Sequence, residues 1–280
     1  MKTREEVAAE QAAYWNGRGG AAWLASYARI QRSIAGFSED VLGAAAARPG
    51  ETVLDVGCGT GETTALLAKA VGETGRVLGV DISEVLLSAA RARNIANAAF
   101  GVGDAATYAF EAAASDLVFS RFGVMFFADP VAAFRNLRRA LRPSGRLVFL
   151  CWRPLQENPW VGTLMQAALP HLPRVERPGP EDPGPFAFGD QARVERILRT
   201  AGFDRLSFRR LDRLLTQGED IPEVLDNVSK FGPLSRLFAE AEPAQVEKAK
   251  QAIAEVLRPY ATAEGVRLAG ACWLVRAQPA

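Results

Sequence analysis

Thr52-Val53-Leu54-Asp55-Val56-Gly57-Cys58-Gly59-Thr60-Gly61 constrains this chain more than any other stretch of it. A β-branched and aliphatic run carries an acid, and three glycines follow at alternate positions. Leu66, Leu67, Ala70 and Val71 then recur at helical spacing. Strand, glycine turn and helix N-terminus in that order bring backbone close to a ligand. The spacing also limits the ligand. A dinucleotide turn reads G-x-G-x-x-G, with helix-end amides around a pyrophosphate. Here it reads G-x-G-x-G, with Asp55 two residues ahead of the first glycine. A carboxylate beside a pyrophosphate is electrostatically unfavourable. The pattern therefore predicts a nucleotide-type cofactor with an ammonium group and no phosphate, Asp55 facing the cationic end.

The same alternation continues downstream. Strands are expected at 52–56, 76–81, 98–102, 116–120 and 146–152, with helices near 61–71, 83–95 and 129–141. Asp129 can cap the last of these, Pro130 suits its first turn, and Pro143-Ser144-Gly145 ends it. Residues 5–47 read as helices interrupted at Asn16-Gly17-Arg18-Gly19-Gly20. Residues 154–185 hold eight of the sixteen prolines, which predicts a long irregular segment. Beyond it come a helix at 190–201, a strand at 203–211, a helical region at 219–262 and a last strand at 266–277. The seven strand candidates and the βα alternation give an α/β fold, a mostly parallel seven-stranded sheet with helices on both faces. The expected organisation is an N-terminal helical cap (1–48), a cofactor-binding core (49–152) and a proline-rich cap loop (153–189). The rest of the sheet (190–280) carries a helical insertion at 216–262.

Bulk properties exclude several classes. A net charge of +1 gives no general attraction to nucleic acid or an anionic membrane. The start, Met1-Lys2-Thr3-Arg4-Glu5-Glu6, has no apolar leader, and no run approaches the ~20 apolar residues of a span. Cys58, Cys151 and Cys272 are odd in number and far apart, so they read as small buried side chains in a cytoplasmic protein. No metal-ligand spacing is present. Arginines 193, 196, 199, 205, 209, 210 and 213 are interleaved with Glu195, Asp204 and Asp212, the pattern of a solvated face.

Further acids stand at the expected strand ends. Asp81, followed by Ile82, is placed to accept from both hydroxyls of a ribose; the plain alternative, a helix cap, suits Ser83 better. Gly103-Asp104-Ala105 follows the third strand, and Ser120-Arg121-Phe122-Gly123-Val124-Met125-Phe126-Phe127 runs out of the fourth. With its D-V-G-C-G-T-G string, the chain resembles the class I S-adenosylmethionine-dependent methyltransferases, whose first motif reads D-x-G-x-G-x-G. The resemblance covers residues 37–152. It implies a Rossmann-like, doubly wound fold with S-adenosylmethionine as cofactor, and a role for Asp104 and the amide of Ala105 in reading adenine. The stretches 121–127, Asp129-Pro130 and 141–147 are most similar to the branch containing ubiquinone and menaquinone C-methyltransferases. That branch has Gly-Gly where Ser144-Gly145 stands here, and the C-terminal half does not match it, so no quinone substrate is carried over. Ser120-Arg121-Phe122-Gly123 replaces the Asn/Asp-Pro-Pro-Tyr-like motif of enzymes that methylate adenine or glutamine amines.

The expected cofactor site is then Asp55, Gly57, Cys58, Gly59, Thr60, Gly61, Asp81, Ile82, Gly103, Asp104, Ala105 and Ser120, with Tyr14, Trp15 and Trp23 closing over it, against the alternative that these three only anchor the N-terminal helices. Phe122, Met125 and Phe126 are the expected substrate walls, against the alternative that they are core. His171, the one histidine, is the candidate base, against the alternative of an ordinary loop histidine. The expected activity is methyl transfer to an O, N or C atom of a small organic molecule. The alternative is a protein that binds S-adenosylmethionine or S-adenosylhomocysteine in a sensing or other non-methylating role. A homodimer is left open.

Overall fold

The structure is a computed structural model that describes residues 2–174, 179 and 181–280. Three helices lead in: α1 (Arg4–Asn16), α2 (Arg18–Ala25) and α3 (Tyr27–Ala45). Strands and helices then alternate as β1 (Thr52–Val56), α4 (Glu62–Val71), β2 (Arg76–Asp81), α5 (Glu84–Arg91), β3 (Ala98–Val102), β4 (Ser115–Arg121), α6 (Pro130–Ala140) and β5 (Leu141–Trp152). After these come α7 (Pro159–Ala168), α8 (Gln191–Thr200), β6 (Phe203–Gly218), α9 (Ile221–Lys230), α10 (Pro233–Ala239), α11 (Pro243–Leu257), β7 (Ala261–Thr262) and β8 (Gly265–Pro279).

The strands lie in the order β3-β2-β1-β4-β5-β8-β6, with β7 paired to β8 off that path. β1 to β5 are parallel, and β8 runs antiparallel to both β5 and β6. The sheet thus has eight strands, one more than expected. The addition is two residues long and closes the last hairpin, too short to register as a hydrophobic run. Strand order reverses between β1 and β4, and ligands of open α/β sheets bind at such a point, beyond the carboxyl ends.

Both faces are covered. Phe37 of α3 packs edge-on to Trp152 at 5.7 Å, while Phe134 of α6 lies 5.6 Å from Phe149. Positions 149 and 152 of β5 have opposite parity, so α3 and α6 lie on opposite faces. Phe134 also meets Phe127, Phe188 and Phe203, tying α6, the β4 loop and β6 into the main core. A second apolar cluster joins α7, α9, α10 and α11 to Val266 and Leu268 of β8.

Local chemistry explains most boundaries. Asp129 caps α6 by accepting from the Ala132 amide, with Pro130 in the first turn. Ser83 caps α5 in the same way. Three expectations need correction. β5 begins at Leu141, because Leu141 pairs with Ser115 before the register shifts to Leu117–Arg146 and bulges out the Pro-Ser-Gly turn. β6 runs on to Gly218, held along its length by β8.

The proline-rich stretch is not irregular throughout: it contains α7 and a short turn at Leu169–His171. Pro159 opens α7, where its missing N–H costs nothing. Buried Asn158 anchors the helix start. Its amide donates to the carbonyls of Arg153, Pro154 and Ala271, and its oxygen accepts from the Ala271 amide and Trp160 Nε1. Residues 175–178 and 180 of the predicted loop lie outside the described residues.

Candidate functional site

The glycine turn sits at the reversal of strand order. Gly57, Gly59 and Gly61 all have positive φ (68°, 54° and 74°), the left-handed region that costs other residues about 1 kcal/mol or more. Their surroundings differ. A Cβ on Gly57 would lie 2.7 Å from Gly123 Cα, because the chain leaving β4 crosses directly against the chain leaving β1. One on Gly61 would press on Ala90 at 3.0 Å and Phe100 at 3.2 Å. One on Gly59 would meet nothing nearer than Leu86 Cδ1 at 4.0 Å. Gly57 and Gly61 are thus required by packing, and Gly59 is the glycine with open space beside it.

Asp55 lies under this turn, 1% exposed. One carboxylate oxygen accepts from both Thr63 and Thr64 hydroxyls of α4 at 2.7 Å; the other, Oδ1, has no donor. Burial pushes its pKa up to about 6, against the Thr64 and Thr63 bonds and the Arg121 charge, which lower it. Buried polar atoms are normally satisfied, so Oδ1 is an acceptor awaiting an N–H or O–H. Cys58 is a buried side chain whose thiol burial raises.

Asp81 joins the turn to the next strand. Oδ2 accepts from the Gly59 amide at 2.8 Å and Oδ1 from the Ser83 amide at 2.9 Å, while burial raises its pKa against those bonds. Each oxygen keeps a second lone pair for a ligand hydroxyl. Beyond β3, Asp104 Oδ1 accepts from the Ala106 amide at 2.8 Å, an Asx turn that its neighbours complete. Asn136 holds that loop through the Ala105 and Tyr108 carbonyls. The Tyr108 ring fills the space beside Gly101 and Gly103, so a Cβ at Gly103 would sit 2.7 Å from it.

The β4 exit supplies the apolar wall. Phe122 takes a positive φ of 64° and stacks on Trp152 at 4.6 Å. Trp152 in turn meets Trp160 of α7 at 4.8 Å. Phe126 packs against Trp15 at 5.1 Å. Met125 is fully buried: its sulfur accepts from the Trp152 amide and its carbonyl from the Gly184 amide. Ser120 is buried too, its Oγ accepting from the Gly123 amide at 3.3 Å.

The N-terminal helices close over the β2 end. Asn16 Nδ2 donates to the Ile82 carbonyl and its oxygen accepts from the Glu84 amide, while Ser83 donates to the Trp15 carbonyl. The Tyr14 ring packs where Gly19 lacks a side chain, and Trp23 lies between Trp15 and Phe231. His171 lies at the far end of α7 from Trp160. Its turn packs against α11, and among the described residues no hydrogen bond joins it to the glycine turn or the β4 exit.

Sequence reading missed Arg93, Asn16, Tyr108 and Trp152, and named Trp15 only with Tyr14 and Trp23. Arg93 Nε donates to the Thr60 carbonyl at 2.6 Å, and its NH2 group to Tyr27 and Glu62, which bond to each other. It ties the glycine turn to the start of α3. An arginine just past the end of a helix carries no local signal for such a role; Asn16, directly before a glycine-rich break, does carry one.

Among the described residues no cluster fit to hold a metal is present, and no helix is long and apolar enough to cross a membrane. Residues 53–145 match a family model described as a methyltransferase domain. The chain is 30% identical over 174 residues to demethylmenaquinone methyltransferase of Staphylococcus saprophyticus, covering 58% of this chain and 74% of that protein. It is 42% identical over 114 residues to an uncharacterized 37.1 kDa protein of a Streptomyces fradiae transposon, 40% of this chain and 33% of that one. The match thus spans a third of one relative and three quarters of the other. Among solved structures, geranyl diphosphate C-methyltransferase of Streptomyces coelicolor has the same fold, with a TM-score of 0.52 and 17% identity over 91% of this chain and 82% of that one.

Proposed function

Because the chain belongs to the class I S-adenosylmethionine-dependent methyltransferases, in the quinone-type branch, we propose that it methylates a small apolar organic molecule at an O, N or C atom. The observation that carries this reading is the join between Gly59 and Asp81 at the reversal of strand order, with open space beside Gly59. The residues present fit S-adenosylmethionine on three counts. Gly59 admits a ligand against its backbone, Asp81 has lone pairs for ribose hydroxyls, and Asp55 Oδ1 lacks a donor. Asp104 and the Ala105 amide would read the adenine, and Ser120, Ile82, Tyr14 and Trp23 would stand around the same ligand.

When bound, the sulfonium supplies an already activated methyl group. The chain's own work is then to align an acceptor with that methyl and to keep water away, and positioning of this kind supplies ~7–11 kcal/mol of a barrier. Phe122, stacked between β4 and Trp152, and Phe126, held by Trp15, would wall the reacting end. Met125 supports them from beneath as core. Aromatic walls supply apolar contact area for an acceptor with an apolar body. His171 stands as the one histidine available as a base, although its turn beyond α7 packs against α11.

The test is incubation of the protein and S-adenosylmethionine with fractionated apolar metabolites, followed by mass spectrometry. Conversion of an acceptor into a product one CH2 heavier, together with S-adenosylhomocysteine release, is expected. Tight S-adenosylhomocysteine binding with no methylated product from any fraction would favour the sensing alternative.

A further inference from the structure

Arg121 closes β4 and carries a guanidinium that the described residues leave largely unused. Asp55 stands opposite Phe119 in the β1–β4 register, and Arg121 shares the parity of Phe119, two residues nearer the carboxyl end. Arg121 therefore emerges on the face that holds Asp55, between α3 and α4. Ser38 Oγ of α3 accepts from Nη1 at 2.6 Å, the one hydrogen bond recorded for its five N–H groups among the described residues. Two other enclosed arginines are paired with carboxylates: Arg146 with Glu51 at 2.8 Å, and Arg153 with both Glu157 and Asp212. Arg121 has no carboxylate oxygen within 4.0 Å among the described residues.

The charges that reach it are those of Asp55, Glu62 and Tyr27, and burial lowers its pKa against them. Glu62 and Tyr27 are engaged by Arg93. Asp55 spends one oxygen on two threonine hydroxyls and keeps Oδ1 free of any donor. A cation with spare donors and a carboxylate with a spare acceptor thus flank the same turn on the same face without bonding to each other. Ammonium and carboxylate on one carbon match that pair.

We propose that Arg121 anchors the carboxylate of the cofactor's amino-acid end, with the ammonium on the Asp55 side of the turn. This rests on the reading that S-adenosylmethionine occupies the glycine turn. It makes Arg121 a binding residue, where the competing role is a countercharge for Asp55 that never touches ligand. Arg121 also orients the reacting sulfonium, because fixing both charged groups of the amino acid fixes the chain that carries the sulfur.

Two ligands separate these roles. S-adenosylhomocysteine has the amino-acid end and 5′-methylthioadenosine lacks it, while both carry the adenosyl thioether. Titration calorimetry on Arg121→Gln should show S-adenosylhomocysteine binding weakened roughly 10- to 100-fold, the loss of a charge-assisted hydrogen bond. Methylthioadenosine affinity should stay within about twofold. Arg121→Lys should recover part of the loss by keeping the charge without the fork. Ser38→Ala removes the hydroxyl that orients the guanidinium, and should give a smaller loss with the same ligand selectivity. Equal losses for the two ligands, or none for S-adenosylhomocysteine, overturn the proposal. A wild-type protein that binds neither ligand overturns the glycine-turn reading itself, and the anchor with it.

Discussion

Alanine at Gly57 and at Gly59 should fail in opposite ways. Both glycines have positive φ, 68° and 54°, so each substitution carries a left-handed penalty of about 1 kcal/mol. Each also gains a similar unfolded-state entropy term, which cancels in the comparison. What remains is space. The Gly57 methyl would lie 2.7 Å from Gly123 Cα, a backbone atom that cannot turn aside, while the Gly59 methyl meets Leu86 at 4.0 Å. Overpacking of the first kind costs about 1–3 kcal/mol. Urea denaturation of the ligand-free protein should therefore place Gly57→Ala about 1–3 kcal/mol below Gly59→Ala. Calorimetry should reverse the order: Gly59→Ala, whose methyl enters the open side of the turn, should lose at least roughly tenfold in S-adenosylhomocysteine affinity. Equal stability of the two variants would refute the packing argument. Wild-type affinity in Gly59→Ala would refute the placement of the ligand.

Asp55→Asn should change the pH dependence of stability. The folded carboxyl, at about 6, binds its proton more tightly than the unfolded one near 3.8, so its contribution is fully present below the lower value and lost as pH rises through the upper. Between pH 5 and 8 the wild type should lose roughly 1 kcal/mol that Asp55→Asn keeps, read by urea melts of both at each pH; parallel profiles would contradict the assignment. Asp81→Ala strands the Gly59 and Ser83 amides and removes the ribose acceptor, so S-adenosylhomocysteine affinity should fall by about 1–3 kcal/mol, and unchanged calorimetric affinity would take Asp81 out of the site. Asn158→Ala removes five hydrogen bonds that join β5, α7 and β8, and should destabilise the protein by about 3 kcal/mol or more in denaturant titration. A cost below about 1 kcal/mol would mean that α7 is held by its apolar face alone.

The parts legible in the sequence are those whose signal is local. The glycine turn after β1, the acid ending β2 and the cap of α6 each fit within about ten residues and obey known spacings. Features that depend on distant partners were not legible. Gly57 reads as a glycine of the ligand turn, but its close approach to Gly123 after another strand has no local signal. Asp55 reads as a ligand partner at a strand tip, but nothing local shows that Thr63 and Thr64 of α4 take one of its oxygens and leave only Oδ1 unpaired. Arg93 reaches Thr60 across 33 residues and Arg121 reaches Ser38 across 83, separations that no window captures. α7 was hidden for a different reason. A proline-dense stretch reads as a series of breakers, although Pro159 stands in a first turn and the Trp160, Val161, Leu164, Ala168 spacing follows it.

The measurement that bears most directly on the central claim is parallel titration of the wild-type protein with S-adenosylhomocysteine and with NAD. Saturable S-adenosylhomocysteine binding, weakened in Gly59→Ala and Asp81→Ala, with no heat from NAD, is the predicted result. Binding of NAD without S-adenosylhomocysteine would contradict it.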